Sequence, residues 1–230
     1  MSKRHLKRLA APRKWPIKRK NITFIARPMP GPHPLDRCIT INMMLKDILK
    51  YCKTTNEVKK ILNSNGVIVD KKIRKDHKFP VGFMDIIDIP KLNESYRIIF
   101  DKGGRFKLEK IDKKDSDNKI CKIIGKKILK NGIIQLNLYD GKNIIVSKDN
   151  YKVGDSIVIG LKDNKIVSVL KLEKGAFVYI IEGNYAGSYG VLEDFKGENK
   201  SSTILLKTGD KKIETLKQYA FVVDKDVVKK

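Results

Sequence analysis

The apolar positions between Met43 and Ile89 change spacing once, and the change separates two helices from the strands that follow. Up to Cys52 the apolar residues recur at helical intervals and lysines take the other face. Thr54 and Glu57 have the S/T-x-x-E spacing of a capping box, which predicts the start of a second helix. Gly66 tolerates the left-handed conformation and is the predicted stop. The predicted buried positions of the two helices are Met44, Leu45, Ile48, Leu49, Cys52, Val58, Ile61 and Leu62.

Beyond Gly66 the apolar runs are short and several alternate with polar residues, which is typical of strands. A turn at Asp70-Lys71-Lys72 predicts one hairpin, and Asp140-Gly141 predicts another more strongly. The predicted strands are Val67–Val69, Ile73–Arg74, Met84–Ile89, Tyr96–Phe100, Phe106–Ile111, Ile120–Ile124, Ile134–Leu138, Ile144–Val146, Ser156–Leu161, Ile166–Leu170, Phe177–Ile181, Val191–Leu192, Thr203–Leu206, Ile213–Leu216 and Phe221–Val223.

The first 35 residues follow neither pattern. They contain ten Lys or Arg residues and no acidic residue, and prolines interrupt them repeatedly. Such a segment buries too little apolar surface to fold alone, so we expect it to be disordered until it meets a partner. Trp15 is the only tryptophan, and the sequence leaves two roles open for it: packing on the neighbouring domain or stacking on RNA.

The charge of the chain points to the class of partner. Among 230 residues, 50 Lys and Arg face 26 Asp and Glu, a net charge of +24. A polyanion relieves such self-repulsion, and nucleic acid is the commonest one. An anionic membrane is the rival, but no amphipathic basic helix, apolar spanning run or signal peptide is found. We therefore expect a protein that stays inside the cell and takes no membrane partner.

The sequence offers no catalytic or metal-binding chemistry. Cys38, Cys52 and Cys121 are too few and too scattered for a disulfide framework or a zinc site. No phosphate-binding glycine loop and no nucleophile elbow occurs. We therefore predict no enzyme activity, no cofactor, no metal and no small-molecule substrate.

Five stretches of the sequence carry a resemblance to a known family. Glu57-Val58-Lys59-Lys60-Ile61 followed by Phe79-Pro80-Val81-Gly82-Phe83-Met84-Asp85 resembles the S-four-like RNA-binding domain of the small-subunit ribosomal protein family S-four-e, found in archaea and eukaryotes. The opening His5-Leu6-Lys7-Arg8-Leu9-Ala10-Ala11-Pro12 and Gly31-Pro32-His33 resemble the same family. The stretch Gly183-Asn184-Tyr185-Ala186-Gly187-Ser188-Tyr189-Gly190 is similar to the KOW motif, which in its families lies in a small barrel of the Src-homology-three type.

The resemblance implies a structural constituent of the small ribosomal subunit in the cytoplasm. Its expected partners are small-subunit rRNA, bound by phosphate neutralisation and shape recognition, and neighbouring small-subunit proteins. Eukaryotic relatives continue well past the barrel, so we expect an archaeal source. The expected fold is α+β and mostly β, in four parts: an arm (1–41), an S-four-like module (42–105), an antiparallel β domain acting as a spacer (106–172) and a KOW barrel (173–230).

Two other functions stay open at this point. S-four-like domains also accompany RNA-modifying pseudouridine synthases, but the catalytic aspartate that follows Gly-Arg-Leu there is missing after Gly104-Arg105. A KOW-type transcription elongation factor usually has a different domain before the motif. Asp85, Asp88 and Glu94 are interpreted as internal salt-bridge partners, not as catalytic carboxylates.

The predicted RNA-binding residues fall in three groups. The arm and the KOW loop each supply one, and the helix and hairpin of the S-four-like module are expected to form the third as a single RNA-facing surface. Lys71 stands where relatives often have glycine, which leaves the turn type open but adds a charge at the tip. The predicted residues are Lys3, Arg4, Lys7, Arg8, Arg13, Lys14, Trp15, Lys18, Arg19, Lys20, Lys59, Lys60, Lys71, Lys72, Arg74, Lys75, Gly183, Asn184, Tyr185, Gly187 and Tyr189.

Overall fold

The chain is mostly β with few helices. The computed structural model describes residues 5–20, 22–113, 115–197, 203–209 and 211–224. It divides into two compact units: Met1–Ile99 with Arg105–Lys119, and Phe100–Gly104 with Ile120–Lys230. The mostly β character expected from the short alternating runs is confirmed.

The first unit contains two small ribbons, two helices and one five-stranded antiparallel sheet. The sheet order is β5-β4-β7-β8-β9, and the small ribbons pair β1 with β2 and β3 with β6. The elements are β1 (Leu6–Lys7), β2 (Phe24–Ile25), β3 (Cys38–Thr40), α1 (Ile41–Met43), α2 (Thr55–Asn63), β4 (Ile68–Val69), β5 (Lys72–Ile73), β6 (Pro80–Gly82), β7 (Ile86–Ile89), β8 (Glu94–Phe100) and β9 (Phe106–Ile111).

The predicted first helix is shorter and wider than its apolar stripe suggested. α1 has a single turn, after which Met44–Ile48 form a π-helical turn. The predicted second helix is confirmed as α2, including its capping box between Thr54 and Glu57. Its stop differs: Asn65 takes the left-handed conformation at φ 55°, while Gly66 does not. Gly66 instead fits closely against Ile61, where an added Cβ would lie 2.7 Å from the side chain.

The second unit contains two antiparallel sheets of five strands each, with orders β12-β11-β10-β13-β14 and β18-β17-β16-β15-β19. We call them the middle sheet and the C-terminal sheet. Their strands are β10 (Asn118–Ile128), β11 (Ile134–Leu138), β12 (Asn143–Val146), β13 (Ser156–Gly160), β14 (Ile166–Leu170), β15 (Phe177–Ile180), β16 (Tyr189–Lys196), β17 (Thr203–Thr208), β18 (Lys211–Leu216) and β19 (Ala220–Val222).

Each sheet of the second unit covers its own apolar core. Leu136 and Ile157 belong to the core of the middle sheet, and Leu192 and Leu206 belong to the core of the C-terminal sheet. The pattern follows from alternation, since every second residue of an antiparallel strand faces the same side. The strand Phe106–Ile111, which we grouped with the β spacer, is the edge strand of the first unit's sheet.

Candidate nucleic-acid interface

Helix α2 separates apolar from basic residues as its spacing predicts. Val58 and Leu62 are buried, while Lys59 and Lys60 are exposed. The capping box fixes the start of the helix: the Thr54 hydroxyl accepts the Glu57 amide at 3.3 Å, and the Glu57 carboxylate accepts the amides of Lys53 and Thr54. The helix therefore has a fixed start and exposes Lys59 and Lys60 to solvent.

The β4–β5 hairpin settles the turn that the sequence left open. Asp70 and Lys71 both have positive φ, 48° and 59°, the pattern of a type I′ turn. Lys71 adopts the left-handed backbone conformation in which glycine is usual. The ion pairs of its ammonium group offset the cost of that conformation. The ammonium nitrogen lies 3.0 Å from carboxylate oxygens of both Asp88 and Asp117.

Lys71 is therefore a structural cation. Burial alone would lower the pKa of Lys71, but the hydrogen bonds that its ammonium group donates to Asp88 and Asp117 outweigh burial, and the pKa of Lys71 is raised. We expected its charge at the RNA-facing tip; the charge is instead neutralised inside the unit, and we leave Lys71 out of the interface. Lys72 on β5 and Lys75 beyond it are exposed.

Arg74 is held by an aromatic ring. Its guanidinium carbon lies 4.1 Å from the centroid of the Phe79 ring, within the range of a cation–π contact, and the residue is half-buried. The arginine thus contributes to packing as well as to charge. The exposed cations of the hairpin segment are Lys72 and Lys75.

The described residues of the N-terminal arm pack within the first unit, contrary to the disorder that its composition led us to expect. Trp15 is 2% exposed, and its indole N–H donates to the carbonyl of Cys38 at 2.7 Å. Domain packing is therefore the role of Trp15, and no ring face is left for a base. A single large apolar side chain supplies the burial that the rest of the arm lacks.

Two arginines of the arm donate hydrogen bonds to main-chain carbonyls of the arm. Arg8 donates to the carbonyls of Ile22 and Lys18 at 3.1 and 3.2 Å. Arg19 donates to the carbonyls of Ala11 at 2.6 Å and Pro12 at 2.9 Å. Carbonyls in an irregular segment have no neighbouring strand to donate hydrogen bonds to them. The five N–H donors of a guanidinium group can supply those hydrogen bonds instead.

Arg8 and Arg19 therefore brace the arm, and the other basic residues determine what it presents to solvent. Lys14 is half-buried, and Lys3 and Arg4 lie outside the described residues. The exposed basic residues of the described arm are Lys7, Arg13, Lys18 and Lys20.

The glycine-rich loop before β16 packs in the second unit. Gly183 and Gly187 have φ of 87° and 86°. Gly187 is buried, and an added Cβ would lie 1.6 Å from the carbonyl oxygen of Asp101. Its lack of a side chain serves this contact within the protein, not the approach of a ligand. Asn184, Tyr185 and Tyr189 are exposed around it.

The carboxylates that the sequence assigned to salt bridges are confirmed in that role. Asp88 pairs with Lys71, as above, and Glu94 with Lys110 at 2.7 Å. The sequence did not reveal the buried partner of Asp85, which is Lys119, with Nζ 2.6 Å from Asp85 Oδ1. Its only signal was position, a lysine at the start of a predicted apolar strand.

The buried cluster around Asp85 lies in the first unit. Lys119 also reaches Asp70 Oδ2 at 2.7 Å, and His33 Nε2 lies 3.0 Å from Asp85 Oδ2. Burial would raise the pKa of Asp85, but the charges of His33 and Lys119 outweigh it and hold the pKa well below its usual range. The cluster therefore holds strands and loops of the first unit together.

Two further features of the described residues bear on the class of protein. None of the helices they form is long and apolar enough to cross a bilayer. Nor do they bring three or more His, Cys, Asp or Glu side chains into an arrangement suited to a metal ion. What the fold and surface define is a basic, mostly β protein that exposes lysines from a helix, a hairpin and an arm.

Comparisons with known proteins identify the family. Residues 92–166 match the model of Ribosomal family S4e, and residues 2–36 match the RS4NT domain. The small ribosomal subunit protein eS4 of Methanosphaera stadtmanae is 42% identical over 227 residues, covering 98% of this chain and 94% of the relative. That of Methanocella arvoryzae is 41% identical over 224 residues, covering 96% and 94%.

A solved structure agrees. The crystal structure of the 30S ribosomal protein S4e from Thermoplasma acidophilum matches with a TM-score of 0.73 and 30% identity, over 82% of this chain and 95% of that one. The chain belongs to the eS4 family of small ribosomal subunit proteins. This confirms the resemblance and the absence of an enzymatic function, since the family is one of structural proteins of the ribosome.

Proposed function

We propose that this chain is a structural constituent of the small ribosomal subunit in the cytoplasm, where it binds and organises rRNA by phosphate neutralisation and shape recognition. The observation that carries the proposal is the sorting of cations in the first unit. Lys71 and Lys119 are neutralised by internal carboxylates, whereas Lys59, Lys60 and Lys72 face solvent. Exposed lysines on rigid elements are what phosphate contacts require.

The finer architecture belongs to the same proposal. Helix α2 and the β4–β5 hairpin act as an S-four-like module, and the C-terminal sheet with its glycine-rich loop acts as a KOW barrel. Tyr185 and Tyr189 then offer exposed rings to RNA, and Asn184 an exposed amide. Neighbouring small-subunit proteins are the other expected partners.

The helix and hairpin can be tested with a charge reversal that avoids packed residues. Lys60→Glu with Lys72→Glu changes two exposed lysines and should leave the free energy of unfolding within about 0.5 kcal/mol. Arg74 is unsuitable because it packs on Phe79. Binding to small-subunit rRNA should weaken, and the slope of log affinity against log salt should become shallower by about two, one per lost phosphate contact.

The matched control lies at the opposite edge of the same sheet. Lys107 on β9 and Lys113 beyond it are exposed in the same unit. Lys107→Glu with Lys113→Glu produces the same change in net charge, so it measures the non-specific effect. Equal loss of affinity in both double variants would move the interface away from the helix and hairpin.

Sedimentation separates the proposed role from the alternatives. A tagged chain should co-sediment with small subunits in a sucrose gradient. Co-sedimentation with polymerase, or with free RNA undergoing modification, would instead support an elongation factor or an accessory to a modifying enzyme.

A further inference from the structure

The second unit contains a groove to which the sequence assigned no role. One hollow of about 670 Å³ is lined by Lys126, Tyr151, Lys152 and Lys171 among others. An adjoining hollow of about 420 Å³ is lined by Lys171 and Phe177 among others. Val169 and Lys171 line both hollows, so the two adjoin, and we call them together the groove.

The walls of the groove are fixed by a buried carboxylate. Asp155 is 4% exposed. Its side chain accepts the amide of Lys152 at 3.0 Å and the amide of Leu172 at 2.9 Å, and its carbonyl accepts the amide of Ile123. One residue therefore holds both lysine-bearing segments, so the groove is preformed.

The lysines of the groove divide into one structural cation and two exposed ones. The Lys126 ammonium donates to Asp149 and to the carbonyl of Tyr151, which fixes the loop that carries Tyr151. Lys152 is exposed, and the side chain of Lys171 is 63% exposed and lies 3.9 Å from an oxygen of Glu173, which is itself exposed. Such an exposed pair is weak, so both lysines keep most of their charge available.

Aromatic rings continue along the same route. Tyr151 lines the first hollow and Phe177 the second. The Phe177 and Tyr189 rings lie 5.5 Å apart between centroids and are tilted by 42°, and Tyr189 is 41% exposed. Rings of this kind accept nucleobases of any sequence, whereas paired bases keep their faces covered by stacking.

We propose that this groove is a second RNA site, which holds an unpaired stretch of rRNA. Phosphates lie at Lys152 and Lys171, and bases lie against Tyr151, Phe177 and Tyr189. The inference rests on the proposed function, because it presupposes that the chain binds rRNA. It changes the role of the middle sheet from a spacer to a binding surface.

A charge reversal measures the contribution of the two lysines. Lys152→Glu with Lys171→Glu should lower the affinity for small-subunit rRNA about tenfold or more at about 100 mM salt, with a salt slope shallower by about 1.4 for two single-strand contacts. Lys130→Glu with Lys165→Glu is the control, with the same charge change at exposed lysines of the same unit outside the groove. It should lower the affinity less than about threefold, as expected of long-range charge alone.

The outcomes distinguish the two proposals. If wild-type chain binds rRNA and both double variants lose affinity equally, the groove proposal is overturned and the proposed function stands. If wild-type chain does not bind rRNA, both fail. Thermal unfolding of each variant at the wild-type temperature shows that the fold is intact, and Lys152→Ala with Lys171→Ala replaces the charge reversal if it is not.

Cross-linking decides the chemical class of the occupant. A photo-reactive phenylalanine analogue placed at position 177 should, in assembled small subunits, give an adduct that ribonuclease trims. An adduct that only protease removes would assign the groove to a protein neighbour and overturn the proposal, as would the absence of any adduct.

Discussion

Replacing Lys119 tests the buried cluster most directly, because this cation has almost no access to water. Its side chain is 1% exposed and lies between Asp85 at 2.6 Å and Asp70 at 2.7 Å. Lys119→Met keeps most of the length and removes the charge, so Asp85, itself 2% exposed, loses its nearest cation. Removing one partner of a buried ion pair costs about 3–5 kcal/mol.

The lower end of that range is the better expectation, since two other groups remain on Asp85. His33 Nε2 lies 3.0 Å from Oδ2, and the Gly82 amide donates to the same oxygen at 2.8 Å. A loss of about 3 kcal/mol corresponds to a fall in Tm of about 6–12 °C for a chain of this size. Trp15 is the only tryptophan and is buried in the same unit, so its fluorescence in a urea titration reports the unfolding.

Acidification provides a second readout. The folded-state pKa of Asp85 is lowered, so its contribution to stability is present above the unfolded pKa of about 3.9 and is lost as the pH falls through the folded pKa. In Lys119→Met the pKa of Asp85 should be lowered less, because His33 remains but the charge of Lys119 is gone. The gap in stability between wild type and variant should therefore narrow below about pH 4.

The control is an ion pair of nearly the same N–O distance whose lysine is not buried. Lys110 Nζ lies 2.7 Å from Glu94, but its side chain is 63% exposed. Lys110→Met should therefore leave Tm close to wild type, because water screens such a pair. A free energy of unfolding for Lys119→Met within about 1 kcal/mol of wild type, or an equal loss of stability in both variants, would contradict a stabilising role for the burial of this pair.

Four other predictions follow from the same structure. Affinity for rRNA should fall by roughly three to five decades between about 50 and 200 mM salt if six to ten phosphates are neutralised, and a flat dependence in a filter-binding series would contradict it. Arg19→Ala should cost about 1.5–3 kcal/mol in urea unfolding because carbonyls of the arm lose a charged donor, whereas Lys18→Ala should cost little. Gly187→Ala should destabilise far more than Gly175→Ala in thermal unfolding, since both have φ near 87° but only Gly187 meets a carbonyl. Glu94→Gln should remove part of the acid sensitivity between about pH 4.5 and pH 2, because hydrogen bonds from Lys110, then Tyr51 and Tyr96, lower the pKa of Glu94 to about 2.

Alternating apolar residues predicted most strands, because the side chains of a strand point alternately to its buried face and its exposed face. The strand Ile166–Leu170 has the predicted bounds, and the capping box located the start of α2 to the residue. The end of α2 was less predictable: Asn65 can adopt the left-handed conformation too, and the close fit of Gly66 against Ile61 is a tertiary contact.

The partners of charged side chains were the hardest to predict. Lys71 and Lys72 are neighbours in sequence, yet one is neutralised by two carboxylates and the other is exposed. Arg8 and Arg19 of the arm donate to carbonyls 8 to 14 residues away in sequence, a distance at which no local pattern marks the partner. No sequence pattern indicates which oxygen the long side chain of a lysine or arginine will reach. Composition therefore predicted a positively charged surface, but not which of the cations are exposed on it.

The two hydrogen bonds between the Tyr179 hydroxyl and the main chain of Phe100 have a consequence for folding during translation. The Tyr179 hydroxyl donates to the Phe100 carbonyl at 2.5 Å and accepts its amide at 3.1 Å, across 79 residues of sequence. At a translation rate of about 5–20 residues per second, Phe100 leaves the peptidyl transferase centre roughly 4–16 s before Tyr179 does. During that interval residues 100–104 belong to a unit whose remaining residues are still being synthesised. A nascent chain of this protein should therefore hold, for several seconds, a loop between β8 and the edge strand β9 that lacks its hydrogen-bond partner Tyr179.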